Sequence, residues 1–110
     1  MDFTDYQIES RKTWINNRNS DIRAVLGLVG EAGEVAEKYK KFLRGDSELN
    51  KDDIKLELGD VLYYIARICD DNNIKLLDVA ISNIDKLKDR QKRNVLKGNG
   101  DSRWGELWKI

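Results

Sequence analysis

Histidine and proline are absent from this 110-residue chain, and cysteine occurs once. Without histidine, the sequence cannot form a Ser-His-Asp triad, a Glu-x-x-His di-iron bundle or a usual zinc site. A single cysteine cannot form an intramolecular disulfide, and Cys69 lies in an apolar helical register that favours a buried small hydrophobe. The lack of proline is typical of long, uninterrupted helices.

Excess charge and long apolar runs are also missing. Lys+Arg and Asp+Glu are both 20, which argues against broad nucleic-acid binding. No apolar run has transmembrane length, and residues 1–5 lack the features of a signal peptide. These observations predict a cytoplasmic protein without a membrane partner. The hydrophobic fraction of 40% allows one small domain with a modest core, for which oligomerisation is reasonable.

The apolar periodicity predicts four main helices followed by a short tail, an all-α bundle. The helices are expected from about Thr4 to Asn17, from after Ser20 to about Arg44, from after Asn50 to Asp70–Asn73, and from about Lys75 to Val95. Predicted helix signals are a Thr4–Gln7 capping box, an N-cap at Ser20 and a stop at Gly45. The inward face of the fourth helix is predicted to carry Leu77, Ala80, Ile81, Ile84 and Leu87. The tail, residues 101–110, contains Trp104, Leu107 and Trp108.

Two pairs of carboxylates stand out on the second and third predicted helices. Glu31 and Glu34 form the first pair, and Glu57 and Asp60 form the second. Residues three apart on a helix are neighbours, about 5–6 Å between Cβ atoms. Each pair can therefore aim two carboxylates at one point, and two packed helices would gather four around a hard cation. Oxygen-only ligation points to magnesium or manganese, with calcium as a less favoured alternative.

Glycines accompany these acids inside both predicted helices. Gly27, Gly30, Gly33 and Gly59 each cost about 1 kcal/mol relative to alanine in a helix interior. They allow another helix, or a ligand, to approach the backbone closely. The pattern is compatible with tight packing alone and with packing that also shapes a ligand site.

Basic and aromatic side chains supply candidate contacts to a nucleotide. Asn83, Lys86 and Arg90 share a face of the fourth helix and could grip a polyphosphate, although a solvated basic face has the same pattern. Lys38 adds positive charge after the first acidic pair, or forms an intrahelical ion pair with Glu34. Trp14 and Tyr64 are candidates for stacking on a base, while core packing is the commoner role of such residues.

In this order, the motifs resemble those of the MazG-like family of all-α nucleoside triphosphate pyrophosphohydrolases. The resemblance rests on residues 27–37, 57–62 and 83–90 and covers about Tyr6 to Arg103. It implies an Mg²⁺-dependent hydrolysis of (deoxy)nucleoside triphosphates to monophosphate and pyrophosphate, for pool control or house-cleaning. The family's four acidic positions map onto Glu31, Glu34, Glu57 and Asp60. The resemblance also implies one domain over residues 1–110 and a homodimer or homotetramer.

Other functions fit the same sequence. On the same fold, the enzyme could be narrower, acting on dCTP, dUTP or phosphoribosyl-ATP. A non-catalytic interaction module would instead use Phe3, Trp104, Leu107 and Trp108 to bind a partner. Nucleic-acid binding through the basic segment 86–97 is a weaker alternative, with steep salt dependence as its signature.

Overall fold

The described part of the chain is all-α, as predicted. The computed structural model describes residues 1–97, with side chains described through residue 94. Within this range α1 spans Phe3–Arg11, α2 Ser20–Leu43, α3 Lys51–Asp71 and α4 Leu76–Lys97. The predicted contacts of the tail, Trp104, Leu107 and Trp108, lie outside the described residues.

The helices belong to two compact units. The first unit, Met1–Leu76, contains α1, α2 and α3, with α3 packed against both other helices. Its buried apolar cluster consists of Ala66, Cys69 and Leu76, against which Tyr6, Leu62 and Ile65 pack. Cys69 is buried, as predicted, and desolvation raises the pKa of its thiol. The second unit begins at Leu77 and is described as the rest of α4.

The start of α1 differs from the prediction. Asp2, not Thr4, is the N-cap, and it forms a capping box with Asp5. The predicted partner Gln7 is buried and donates instead to Asp70 Oδ1 at 2.8 Å and to the carbonyl of Ile74 at 3.0 Å. Gln7 therefore makes tertiary hydrogen bonds, although the local sequence pattern predicted it as part of a helix cap.

The end of α1 comes six residues earlier than the predicted Asn17. The N–H of Lys12 donates to the carbonyl of Glu9, and the Thr13 hydroxyl donates to the carbonyl of Ser10 at 2.9 Å. These bonds satisfy carbonyls that a continuing helix would otherwise use. The chain turns here, and Trp14 packs against aromatic residues of α3.

The ends of α2 test two further cap predictions, and the start of α3 tests the predicted boundary at Asn50. Ser20 is the first residue of α2 rather than its N-cap, which is Asn19 with a positive φ of 63°. Asn50 caps α3, because its side chain accepts the backbone N–H groups of Asp52 and Asp53. Gly45 follows α2 with a φ of 82°, a left-handed conformation that glycine adopts without strain.

The apolar stripes of α2 and α4 are largely exposed in the single chain. On α2, Leu26 is 66% exposed and Val29 67%. On α4, the prediction of an inward face is wrong for Leu77, Ile81 and Ile84, which are exposed, while Ala80 and Leu87 are half-buried. A chain of this size buries too little area to cover every apolar face by itself.

Candidate functional site

Helices α2 and α3 approach closely where a glycine faces a tyrosine. A Cβ built on Gly27 would lie 2.5 Å from Cζ and 2.7 Å from Cδ1 of Tyr64, well inside van der Waals contact. One turn further along α2 is Glu31, and one turn back along α3 is Asp60. The two helices therefore run antiparallel, with the acidic residues in the layer next to the Gly27–Tyr64 contact.

Three of the four predicted carboxylates come together in this layer. Glu31, Glu57 and Asp60 each offer an oxygen, and these oxygens lie within 4.8 Å of one another. Glu31 and Glu57 are half-buried, and Asp60 is exposed. The group thus offers two half-buried candidate ligands and a third that is open toward solvent.

The negative charges of these three acids lie close together, and no ion pair within residues 1–94 neutralises them. Desolvation raises the pKa of Glu31, and the charges of Asp60 and Glu57, a hydrogen bond with Glu57 and the charge of Glu34 raise it further. Among the ion pairs of residues 1–94, none involves Glu31, Glu57 or Asp60. Unpaired carboxylates at this distance repel, and a divalent cation between them would remove the repulsion. The donor set, oxygen only, fits Mg²⁺ or Mn²⁺.

Glu34 lies outside this group. Its side chain is exposed, and it affects Glu31 through its charge. Lys38 is half-buried one turn beyond Glu34, and in residues 1–94 it takes part in none of the ion pairs. The intrahelical pair between Glu34 and Lys38, one of the two alternatives for Lys38, is therefore not formed.

The predicted phosphate-binding residues are on α4, in the second unit. Asn83, Lys86 and Arg90 are all exposed, and their spacing of three and four places them on one helix face. The sole Arg on α4 with an ion pair among the described residues is Arg93, which contacts Asp89 at 3.1 Å. Neither Lys86 nor Arg90 takes part in an ion pair within residues 1–94.

The two predicted base contacts, Trp14 and Tyr64, belong to one aromatic cluster. Trp14, Tyr63 and Tyr64 meet edge to face, with ring centroids 5.4–6.1 Å apart. The guanidinium of Arg23 lies over the Trp14 ring, 4.4 Å from its centroid. The Thr13 hydroxyl donates to the Tyr63 hydroxyl at 2.9 Å, at an exposed position. Arg23 covers part of Trp14, and Gly27 covers part of Tyr64.

A buried charged network next to this cluster was not predicted. Arg67 is 1% exposed and donates to Asp70 Oδ2 at 2.6 Å, to the Gln7 carbonyl at 3.0 Å and to Ser10 Oγ at 2.7 Å. Asp70 also accepts from Arg11 at 2.8 Å. We call Gln7, Ser10, Arg67 and Asp70 the polar latch, because they join α1 to α3. The sequence signal was a charged residue, Arg67, inside the apolar run of residues 65–69.

The polar latch also reaches the start of α4. The backbone N–H of Leu76 donates to Gln7 Oε1 at 2.8 Å, which satisfies one of the N–H groups that a helix start leaves without a partner. The preceding turn contains Asn73, with a positive φ of 55°, and the N–H of Ile74 donates to the carbonyl of Cys69 at 2.8 Å. The latch thus fixes the end of α3 and the turn that follows.

Comparison with known proteins agrees with the motif pattern. Within residues 1–97, no helix is both long and apolar enough to cross a membrane. The chain is 38% identical over 109 residues to the Gene 37 protein of Mycobacterium phage L5, covering 89% of this chain and 96% of that protein. No solved structure matches the chain. Residues 20–95, which include all four predicted acids, match the MazG nucleotide pyrophosphohydrolase domain. The chain belongs to the MazG nucleotide pyrophosphohydrolase family.

Proposed function

We propose that the protein hydrolyses (deoxy)nucleoside triphosphates between the α- and β-phosphates in an Mg²⁺-dependent reaction, and so controls nucleotide pools or removes unwanted nucleotides. The observation that carries this proposal is the convergence of Glu31, Glu57 and Asp60 inside the segment that matches the family. Because nucleoside triphosphates are cytoplasmic metabolites, the proposal places the enzyme in the cytoplasm.

In the proposed site, Glu31, Glu57 and Asp60 hold the cation, for which Mn²⁺ is a substitute. Bound Mg²⁺ supplies neutralisation of the charge that develops on phosphate oxygens. Glu34, exposed beside the group, orients a water molecule and accepts its proton. The water oxygen bonds to the α-phosphorus, the bond from this phosphorus to the oxygen that bridges to the β-phosphate breaks, and pyrophosphate leaves.

The remaining residues are assigned to substrate binding. Asn83, Lys86 and Arg90 contact the triphosphate through one amide and two cations, and Lys38 adds a further positive charge. Trp14 and Tyr64 contact the base. The family match at residues 20–95 crosses the boundary between the two units, which supports one functional domain over residues 1–110.

Self-association is part of the proposal. The exposed apolar residues of α2, including Leu26 and Val29, form a face that soluble monomers seldom leave uncovered. A homodimer or homotetramer would cover it. Light scattering of the purified protein measures the number of subunits.

The test of the reaction is product analysis with each ribo- and deoxyribonucleoside triphosphate, with Mg²⁺ and with chelator. We expect metal-dependent monophosphate and pyrophosphate, and the ranking of rates separates a broad enzyme from one narrowed to dCTP or dUTP. Phosphoribosyl-ATP is included as a further substrate, and turnover of that compound alone would indicate the third, narrower specificity. Diphosphate and phosphate as products would contradict the proposed bond.

Variants link the reaction to the carboxylates. Because a catalytic metal contributes several kcal/mol, Glu57→Gln and Asp60→Asn should each lower turnover by at least about 100-fold with helix content unchanged. Glu48→Gln, an exposed change in the α2–α3 loop, is the matched control and should keep full turnover. If the protein is instead a non-catalytic interaction module, neither the wild type nor any variant should show turnover. Neutralising its clustered acids should then raise the free energy of unfolding, because their repulsion is removed.

A further inference from the structure

Only one of the four glycines inside the described helices is packed against another element. A Cβ added at Gly27 would overlap the Tyr64 ring, whereas one added at Gly30, Gly33 or Gly59 would have no atom within 4 Å. If all four glycines served only to make the helices flexible, this difference between Gly27 and the other three would have no explanation. The backbone of α2 must come close to α3 at Gly27 and has open space at the other three positions.

Two aromatic rings pack against Tyr64 and oppose a movement of its ring away from Gly27. Its ring packs edge to face against Tyr63 at 5.4 Å and against Trp14 at 6.1 Å. Trp14 in turn lies under the guanidinium of Arg23. A side chain at residue 27 would therefore have to push α2 and α3 apart or displace the whole aromatic cluster.

Separation of the helices at this layer would reach the carboxylates directly. Glu31 is one turn from Gly27 and Asp60 is one turn from Tyr64, and one helical turn rises about 5.4 Å. Since both helices are rigid over one turn, a shift at the Gly27–Tyr64 contact is transmitted to the oxygens that lie within 4.8 Å of one another. Mg²⁺ requires near-ideal octahedral geometry at about 2.0–2.1 Å, while Ca²⁺ accepts longer, irregular coordination.

We propose that Gly27 is a positioning residue for the divalent-metal site: its missing side chain lets Tyr64 set the α2–α3 separation at which Glu31, Glu57 and Asp60 suit Mg²⁺. This role rests on the proposed metal-dependent function. It assigns to Gly27 a task that the other helical glycines do not share, and it makes cation selectivity a property of helix packing.

The experiment measures Mg²⁺ and Ca²⁺ affinity by calorimetry on the full chain, without nucleotide. Gly27→Ala should weaken Mg²⁺ binding on the order of 10- to 100-fold, as is usual when support of metal ligands is lost, and weaken Ca²⁺ binding less. Gly30→Ala is the matched control, with the same added methyl on the same helix but open space around it, and should bind Mg²⁺ as the wild type does.

A second variant keeps the test valid if Gly27→Ala folds poorly. Tyr64→Val removes the three ring atoms that would meet the new Cβ, so Gly27→Ala should have little further effect on Mg²⁺ affinity in that background. Two results would overturn the role of Gly27 and leave the proposed metal site standing. One is equal Mg²⁺ affinity in wild type and Gly27→Ala. The other is that Gly27→Ala weakens Mg²⁺ binding equally in the wild-type and the Tyr64→Val backgrounds. Absence of Mg²⁺ binding by the wild type would overturn the proposed metal site and this role with it.

Discussion

Replacing Arg67 with methionine tests whether the polar latch holds α1 in place. Arg67 is almost fully buried and makes three hydrogen bonds, to Asp70, the Gln7 carbonyl and Ser10. Removing one partner of a buried ion pair costs about 3–5 kcal/mol. Asp70 retains its bonds from Arg11 and Gln7, and Ser10 still donates to the Gln7 carbonyl, so we expect about 3 kcal/mol, the lower end.

This loss is large for a chain of 110 residues, whose free energy of unfolding is expected to be about 5–15 kcal/mol. Urea unfolding followed by circular dichroism gives the measurement. With a slope of about 1–3 kcal/mol per molar urea, the midpoint of Arg67→Met should fall by about 1–3 M. The control is Arg11→Gln, which removes the exposed arm of the same network and should shift the midpoint far less.

The opposite result is physically reasonable and would refute the reasoning. Well-packed apolar residues can replace buried ion pairs without loss of stability. If Arg67→Met unfolds at the wild-type midpoint or above it, then α1 is held by its apolar contacts, through Tyr6 in particular, and the latch has another role.

Three further measurements test other parts of the structure. Burial alone would raise the pKa of Asp70, but hydrogen bonds from Arg11 and Gln7 and the charges of Arg67 and Arg11 lower it overall. Asp70 therefore stabilises the fold above the ordinary aspartate pKa of about 3.9, and this contribution is lost as pH falls through the lowered value. In urea unfolding, the difference in free energy of unfolding between wild type and Asp70→Asn should become smaller below about pH 4. A difference that stays constant with pH would contradict this role of Asp70. Gly30→Ala should raise the free energy of unfolding by up to about 1 kcal/mol, since helix propensity improves and nothing is displaced, so a decrease in calorimetric melting temperature would show that this face is covered. Leu26→Glu should reduce the mass measured by light scattering to that of one chain, and an unchanged oligomer would exclude this part of α2 from the interface.

Local sequence signals determined the existence of the helices and most of their ends. Apolar residues at helical spacing predicted all four helices. The start of α3 after Asn50 and the stop at Gly45 are confirmed, because a helix end depends on a few neighbouring backbone groups. The signals that failed were also local. Thr4 and Gln7 fit a capping box, but Gln7 gains more partners from α3 and the start of α4 than from its own helix end.

The acidic motifs were visible in the sequence because their spacing of three is itself a helical property. Tertiary structure decided the rest, since it depends on how α2 and α3 pack. Their antiparallel contact brings Glu31 to Glu57 and Asp60 and leaves Glu34 exposed. It also distinguishes Gly27 from the three other glycines inside the described helices. Spacing along a chain specifies which residues share a helix face, whereas only the packing of one face on another specifies which of them meet.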